Sequence, residues 1–141
     1  MSQRSIRVAV VGFGNVGRAA MEAALAAPDM EVAAVVRRSP DRADGIPDAV
    51  PVVADLQEVE AVDVALLCVP TRSVPETAER YLRRGINTVD SFDIHGQAIV
   101  DLRNRLDQTA KAHNAVAICA AGWDPGTDSV LRLMFEYMAP R

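Results

Sequence analysis

Ile6 to Arg18, IRVAVVGFGNVGR, is the stretch on which the reading of this chain turns. Val8, Ala9, Val10 and Val11 form a short apolar run rich in β-branched residues, the pattern of a strand buried on both faces of a parallel sheet. Gly12, Gly14 and Gly17 come next in the spacing G-x-G-x-x-G, and a helical pattern opens directly behind them. Gly12 allows the tight turn off the strand, and Gly14 has no Cβ to hold a pyrophosphate away from the backbone. Gly17 lets the helix pack closely on the strand. The helix N-terminus adds unpaired N–H groups and the positive end of a dipole. Three glycines alone can simply make a turn. A strand before them, a helix behind them and their place at the start of the chain point to a bound dinucleotide.

Outward from this unit, strand and helix patterns alternate. A helix is expected from about Asn15 to Ala27, ended by Pro28 and Asp29. Met30–Val36 reads as the second strand, and Pro51–Ala54 as a short third one. Leu56–Val59 reads as a helical turn capped by Asp55. Strands are expected at Val62–Val69, Ile86–Val89 and Ala115–Ala120. Helices are expected at Val74–Arg84 with Gly85 as C-cap, at Gln97–Asn114 and at Asp128–Met138. This alternation predicts an α/β fold, a doubly wound (Rossmann) parallel sheet of six strands in the order 3-2-1-4-5-6. No linker or repeat divides residues 1–141, so one dinucleotide-binding domain is expected.

Composition supports an ordinary globular domain, with 50% hydrophobic and 24% charged residues. A net charge of −4 argues against a nucleic-acid groove. No apolar run approaches the roughly 20 residues of a membrane span. MSQRSIRV lacks the apolar centre of a secretory signal, so a cytoplasmic protein is expected. Cys68 and Cys119 sit in apolar runs and read as buried, reduced thiols. Cysteine and histidine are too few and too scattered for a metal site, and His95 and His113 read as surface or capping residues.

In an open parallel sheet the ligand lies beyond the carboxyl ends of the strands. The residues just past each predicted strand are therefore informative. Gly12–Gly17 lie past the first, Arg37, Arg38 and Ser39 past the second, and Cys68, Val69, Pro70 and Thr71 past the fourth. Asp90, Ser91, Phe92 and Asp93 lie past the fifth, and Gly122-Trp123-Asp124-Pro125-Gly126 past the sixth. Roughly 20 residues beyond Gly17, where a carboxylate would grip a ribose 2′-hydroxyl, stand two arginines. Guanidinium forks suit a 2′-phosphate, so NADP is expected rather than NAD. A solvated basic turn is the plainer alternative. Asp90 stands at the sheet edge as a candidate for chemistry, while Asp93 can be an Asx-turn or N-cap residue. Trp123, the only tryptophan, beside Asp124 suits a ligand with a positive charge on an aliphatic stem. Asp124 also fits a helix N-cap before Pro125.

VAVVGFGNVGR, PDMEVAAVVRRS, LLCVPTRSVPE, TVDSFDIH and AGWDPGTDS, in that order, resemble the meso-diaminopimelate D-dehydrogenases over nearly the whole chain. The glycine motif is shared with many oxidoreductases, whereas VDSFD and GWDPG belong to this family. The resemblance implies NADP-dependent oxidative deamination of meso-2,6-diaminopimelate at its D-centre, giving L-2-amino-6-oxopimelate and ammonia, a step tied to lysine and cell-wall precursors. It implies that Phe13, Gly14, Asn15 and Val16 face the pyrophosphate and that Arg37, Arg38 and Ser39 hold the 2′-phosphate. Cys68, Val69, Pro70 and Thr71 would border the nicotinamide ribose, with Ser91 and Phe92 also on the cofactor side. Asp90, Trp123 and Asp124 would surround the reacting amino group, with Asp90 or Asp124 as the base. Members of the family continue into a substrate and dimerisation domain and form homodimers. The 141 residues alone are thus expected to bind NADP and turn over little substrate. Rival readings are another NADP-dependent amino- or keto-acid oxidoreductase and a stand-alone NADP-binding regulatory or redox-sensing module.

Overall fold

A computed structural model describes residues 4–39, 41, 44–122 and 127–139. β1 (Ile6–Val11), α1 (Asn15–Ala26), β2 (Met30–Val36) and β3 (Val52–Val53) come first. β4 (Val64–Leu67), α2 (Val74–Leu82), β5 (Asn87–Asp90), α3 (Gln97–Ala112), β6 (Ala117–Ile118) and α4 (Thr127–Met138) complete the order. The six strands pair in parallel in the order β3-β2-β1-β4-β5-β6, as the alternation of patterns predicts. No helix among the described residues is long and apolar enough to cross a membrane.

Element boundaries differ from the sequence expectation where pairing decides them. β3 and β6 contract to Val52–Val53 and Ala117–Ile118 because each has a neighbour on one side only. β4 begins at Val64 rather than Val62; just before it the Asp63 backbone bonds Arg7 O at 2.9 Å and the Asn87 N–H at 3.1 Å, while its carboxylate accepts the Arg7 N–H at 2.8 Å and the Arg4 guanidinium at 2.9 Å. Ile86 belongs to the end of α2 instead of β5. Its N–H bonds Tyr81 O at 3.1 Å and that of Gly85 bonds Leu82 O at 2.9 Å, a Schellman closure around Gly85 at φ 74°. The Asp55 cap is present, its carboxylate accepting the Gln57 N–H at 2.9 Å. His113 forms the C-cap of α3, its Nδ1 lying 2.9 Å from Thr109 O, while His95 is exposed.

Strand residues alternate between two cores. Ala9, Val11, Ala65 and Leu67 face α2 and α3, packing with Tyr81, Leu82, Leu102 and Leu106. Val10, Val32 and Val35 face α1 and pack with Met21 and Ala24. On the α1 side, in-register Val10, Leu66, Val89 and Ile118 pass from fully buried to 52% exposed at β6. No residue of α4 is buried.

Candidate functional site

The turn from β1 into α1 is shaped by close approaches. Gly12 has φ 94°, and a Cβ there would stand 2.4 Å from the backbone oxygen of Cys68. A Cβ on Gly17 would stand 2.0 Å from Gly12 O, so α1 reaches the strand end only because that atom is missing. Gly14 is different. Its φ of −91° suits any residue, and a Cβ there would meet nothing within 4 Å. Nothing among the described residues requires glycine at this position; the space it leaves opens to the groove it lines. The first turn of α1 has no acidic side chain and no side-chain cap, so its N–H groups face that space.

A groove of about 800 Å³ lies along this turn. It is lined by Gly12, Phe13, Gly14, Asn15 and Val16, by Arg37, Arg38 and Ser39, and by Cys68, Val69 and Pro70, together with Val11 and Val36. Segments far apart in sequence thus meet at one rim, at the carboxyl ends of β1, β2 and β4. Gly17 sits behind the lining, against Gly12. Ala54, Thr77 and Arg80 also line the groove, and sequence reasoning misses them. Ala54 was accessible to the strand-end rule, as it comes directly after β3. Thr77 and Arg80 depend on how α2 crosses the rim, which no local pattern encodes. Phe13 lies beneath the Arg18 guanidinium, 5.3 Å from ring centre to Cζ. In the β2 turn, Arg37 Nη1 donates to Asp41 O and Ser39 Oγ donates to the Asp41 carboxylate. A ligand anion there competes with Asp41.

Thr71, Asp90, Ser91 and Phe92 are not among the groove-lining residues. Asp90 closes β5, is 2% exposed, and pairs in register with Leu67. Its Oδ1 accepts the N–H groups of Phe92 and Ala120, each at 3.0 Å, and its backbone oxygen accepts that of Ala121 at 2.7 Å. The Asx-turn thus falls on Asp90, which ties the ends of β5 and β6 together, and Oδ2 is buried without a partner among the described residues. Asp93 is neither an Asx-turn nor an N-cap residue here. It accepts the Thr71 hydroxyl at 2.6 Å and links the loops after β4 and β5, while Gly96 holds the N-cap of α3. Ser91 is exposed, and the Phe92 ring is buried in the α2–α3 core, so that side chain serves packing. Trp123 and Asp124 lie outside the described residues.

Both cysteines are free and half-buried, rather than fully buried. Burial pushes the Cys68 thiol up, and burial followed by the Asp90 charge pushes Cys119 up to about 11. Neither is poised as a nucleophile at neutral pH.

Comparison with known proteins agrees with this geometry. An oxidoreductase family with an NAD-binding Rossmann fold, Gfo/Idh/MocA, matches residues 6–90. A meso-diaminopimelate D-dehydrogenase of Bacteroides fragilis is 53% identical over 98% of this chain and 46% of its own length. The C. glutamicum DAP dehydrogenase solved in complex with DAP superposes with a TM-score of 0.77 at 32% identity, covering 98% of this chain and 42% of that one. An engineered D-amino acid dehydrogenase bound to NADP+ gives a TM-score of 0.77 at 33% identity, covering 95% and 41%. The chain therefore spans about half the length of the curated relatives it matches. With the glycine turn, the strand order and the family match in agreement, the chain belongs to the Gfo/Idh/MocA oxidoreductase family, whose Rossmann fold binds a nicotinamide dinucleotide.

Proposed function

We propose that residues 1–141 form the dinucleotide-binding domain of an NADP-dependent meso-diaminopimelate D-dehydrogenase, which converts meso-2,6-diaminopimelate to L-2-amino-6-oxopimelate and ammonia. One observation carries the reading. A chain 53% identical over almost its whole length to a named enzyme of this kind gathers Gly12–Val16, Arg37–Ser39 and Cys68–Pro70 around one groove. The outward space at Gly14 fits a pyrophosphate, which the α1 N–H groups can bind. Arg37, Arg38 and Ser39 are the proposed 2′-phosphate ligands. Cys68, Val69 and Pro70, with Thr71 and Ser91 beyond them, are the residues proposed to border the nicotinamide end.

When bound, the nicotinamide supplies the hydride acceptor for the D-configured carbon. The chain's own residues manage the nitrogen. An ammonium has to lose a proton before its lone pair can assist hydride departure, and Asp90 and Asp124 are the carboxylates proposed to orient it and accept that proton. Water then replaces the nitrogen, which leaves as ammonia, and the same carboxylates serve as base. Trp123 is proposed to shape the pocket around the aliphatic stem. Asp90 Oδ2 supports the assignment, since a buried carboxylate oxygen without a partner is costly unless something else occupies it.

The test is a titration of the 141-residue chain with NADP and with NAD, followed by an assay of NADP-dependent ammonia release from meso-diaminopimelate and a panel of D-amino acids by the homodimer expected of the family. Tighter binding of NADP and preference for meso-diaminopimelate are expected. Equal affinity for both dinucleotides removes the 2′-phosphate assignment, and preference for another amino acid removes the substrate.

A further inference from the structure

Arg80 lines the same groove as Arg37 and Arg38 but comes from α2, outside the glycine turn and outside the β2 turn. Its guanidinium is held before any ligand arrives. Nη2 donates to the Tyr81 hydroxyl at 3.0 Å, Cζ lies 4.9 Å from the centre of the Tyr81 ring, and Nη1 lies 3.4 Å from Asp55 Oδ2. Both anchors are themselves fixed. Tyr81 is fully buried, and Asp55 caps the turn at Leu56–Glu58. A long, flexible side chain ordinarily loses rotamer freedom on gripping a ligand; here much of that cost is already met by the fold.

The carboxylate that holds Arg80 is also shared. Asp55 serves Arg84 as well as Arg80, each at 3.4 Å, so one carboxylate faces two guanidinium groups. The nearby Glu58 carboxylate is turned to the N–H groups of Ala54 and Asp55. Asp55 lies two residues past β3, whose Val53 O accepts the Arg37 N–H at 2.9 Å, so the anchor of Arg80 and the β2 turn are neighbours.

We propose that Arg80 is a specificity-determining residue, a third guanidinium for the phosphate on the adenosine ribose of NADP. The proposal rests on the NADP reading above. Its plain alternative is that Arg80 exists only to satisfy the hydroxyl of a buried tyrosine. The two differ in what they move, since satisfying Tyr81 affects stability and not the choice between dinucleotides.

The experiment measures dissociation constants of NADP, NAD and 2′,5′-ADP for the wild-type chain, R80Q and R80K, with a thermal melt of each. Expected for R80Q is about a tenfold weakening of NADP and of 2′,5′-ADP, as for one lost charge-assisted hydrogen bond, with NAD unchanged. R80K, which keeps the charge but not the fork, should fall between. NADP affinity unchanged in R80Q overturns the proposal, and so does an equal loss for NAD and NADP, which assigns Arg80 to the shared part of the nucleotide or to the fold. A wild-type chain that does not prefer NADP overturns the NADP reading and Arg80 with it. A wild-type preference that survives R80Q intact overturns Arg80 alone.

Discussion

The two ends of the sheet are finished to different degrees. At β1 and β2 the strands are buried from both sides, Ala9 and Ala34 against one core and Val10 and Val35 against the other. At β6 the side facing α2 and α3 is covered, whereas the α1 side ends at an exposed Ile118, and α4 exposes Leu133, Phe135 and Met138. Parallel sheets normally bury both faces. The lesson is about where specification resides. The nucleotide half carries its own packing and its own groove, and backbone proximity there leaves no tolerance. The β6–α4 end has apolar surface with little inside the described residues to hold it.

The comparison can be broken first at the glycines. Gly17→Ala should damage the fold and the nucleotide site together, because its methyl meets the Gly12 carbonyl carbon at 3.0 Å and its oxygen nearer still. A loss of about 3 kcal/mol, the upper range for overpacking, is expected in urea unfolding, along with dinucleotide binding. Gly14→Ala should leave stability within about 0.5 kcal/mol and still weaken NADP by tenfold or more, as its methyl fills only outward space. Equal stability losses in the two variants would show that the glycines differ in nothing but position.

Next come the two ends themselves. Leu106 is fully buried between α3 and the sheet, so Leu106→Ala should cost about 2–5 kcal/mol. Phe135 is 63% exposed on α4, and Phe135→Ser should change unfolding by no more than about 0.5 kcal/mol in this chain. A comparable loss for Phe135→Ser would mean that α4 is packed after all, and the contrast between the ends would fall.

The same contrast explains what the sequence discloses. β1, α1 and β2 are legible because their signals are local. An apolar run, three spaced glycines and a second apolar run each specify their own backbone, and Met30–Val36 falls where expected. Gly85 closing α2 and Asp55 capping its turn are equally local. β3 and β6 read longer than they are, because an apolar run does not say how many neighbours it will have. Asp93 is misread as a cap since its partner, Thr71, lies 22 residues away. In the site, the turn residues are legible and Arg80 is not, for its place depends on the path of α2 over the rim.

The smallest effect concerns how the covered face is tied. Arg105 on α3 grips Glu79 on α2 through two hydrogen bonds of 2.7 and 2.8 Å. The Arg105 guanidinium holds the Glu79 carboxyl below the usual carboxylate range, its hydrogen bond outweighing burial. A carboxyl with a folded pKa below its unfolded value adds stability above the unfolded value, about 4.3, and loses it as pH falls through the folded value. Arg105 is 48% exposed, so water screens the pair and about 0.5–1 kcal/mol is expected at pH 7. Glu79→Gln should therefore be less stable than the wild type at neutral pH, and the two unfolding curves should converge toward pH 3. The gap should also shrink in high salt, which screens an exposed pair but not the packing of Leu106 beneath it. A gap that persists at pH 3 would assign Glu79 a packing role rather than a charge. No gap at neutral pH would mean that apolar contact alone joins α2 to α3, and that the finished half of the sheet owes nothing to the charges on its surface.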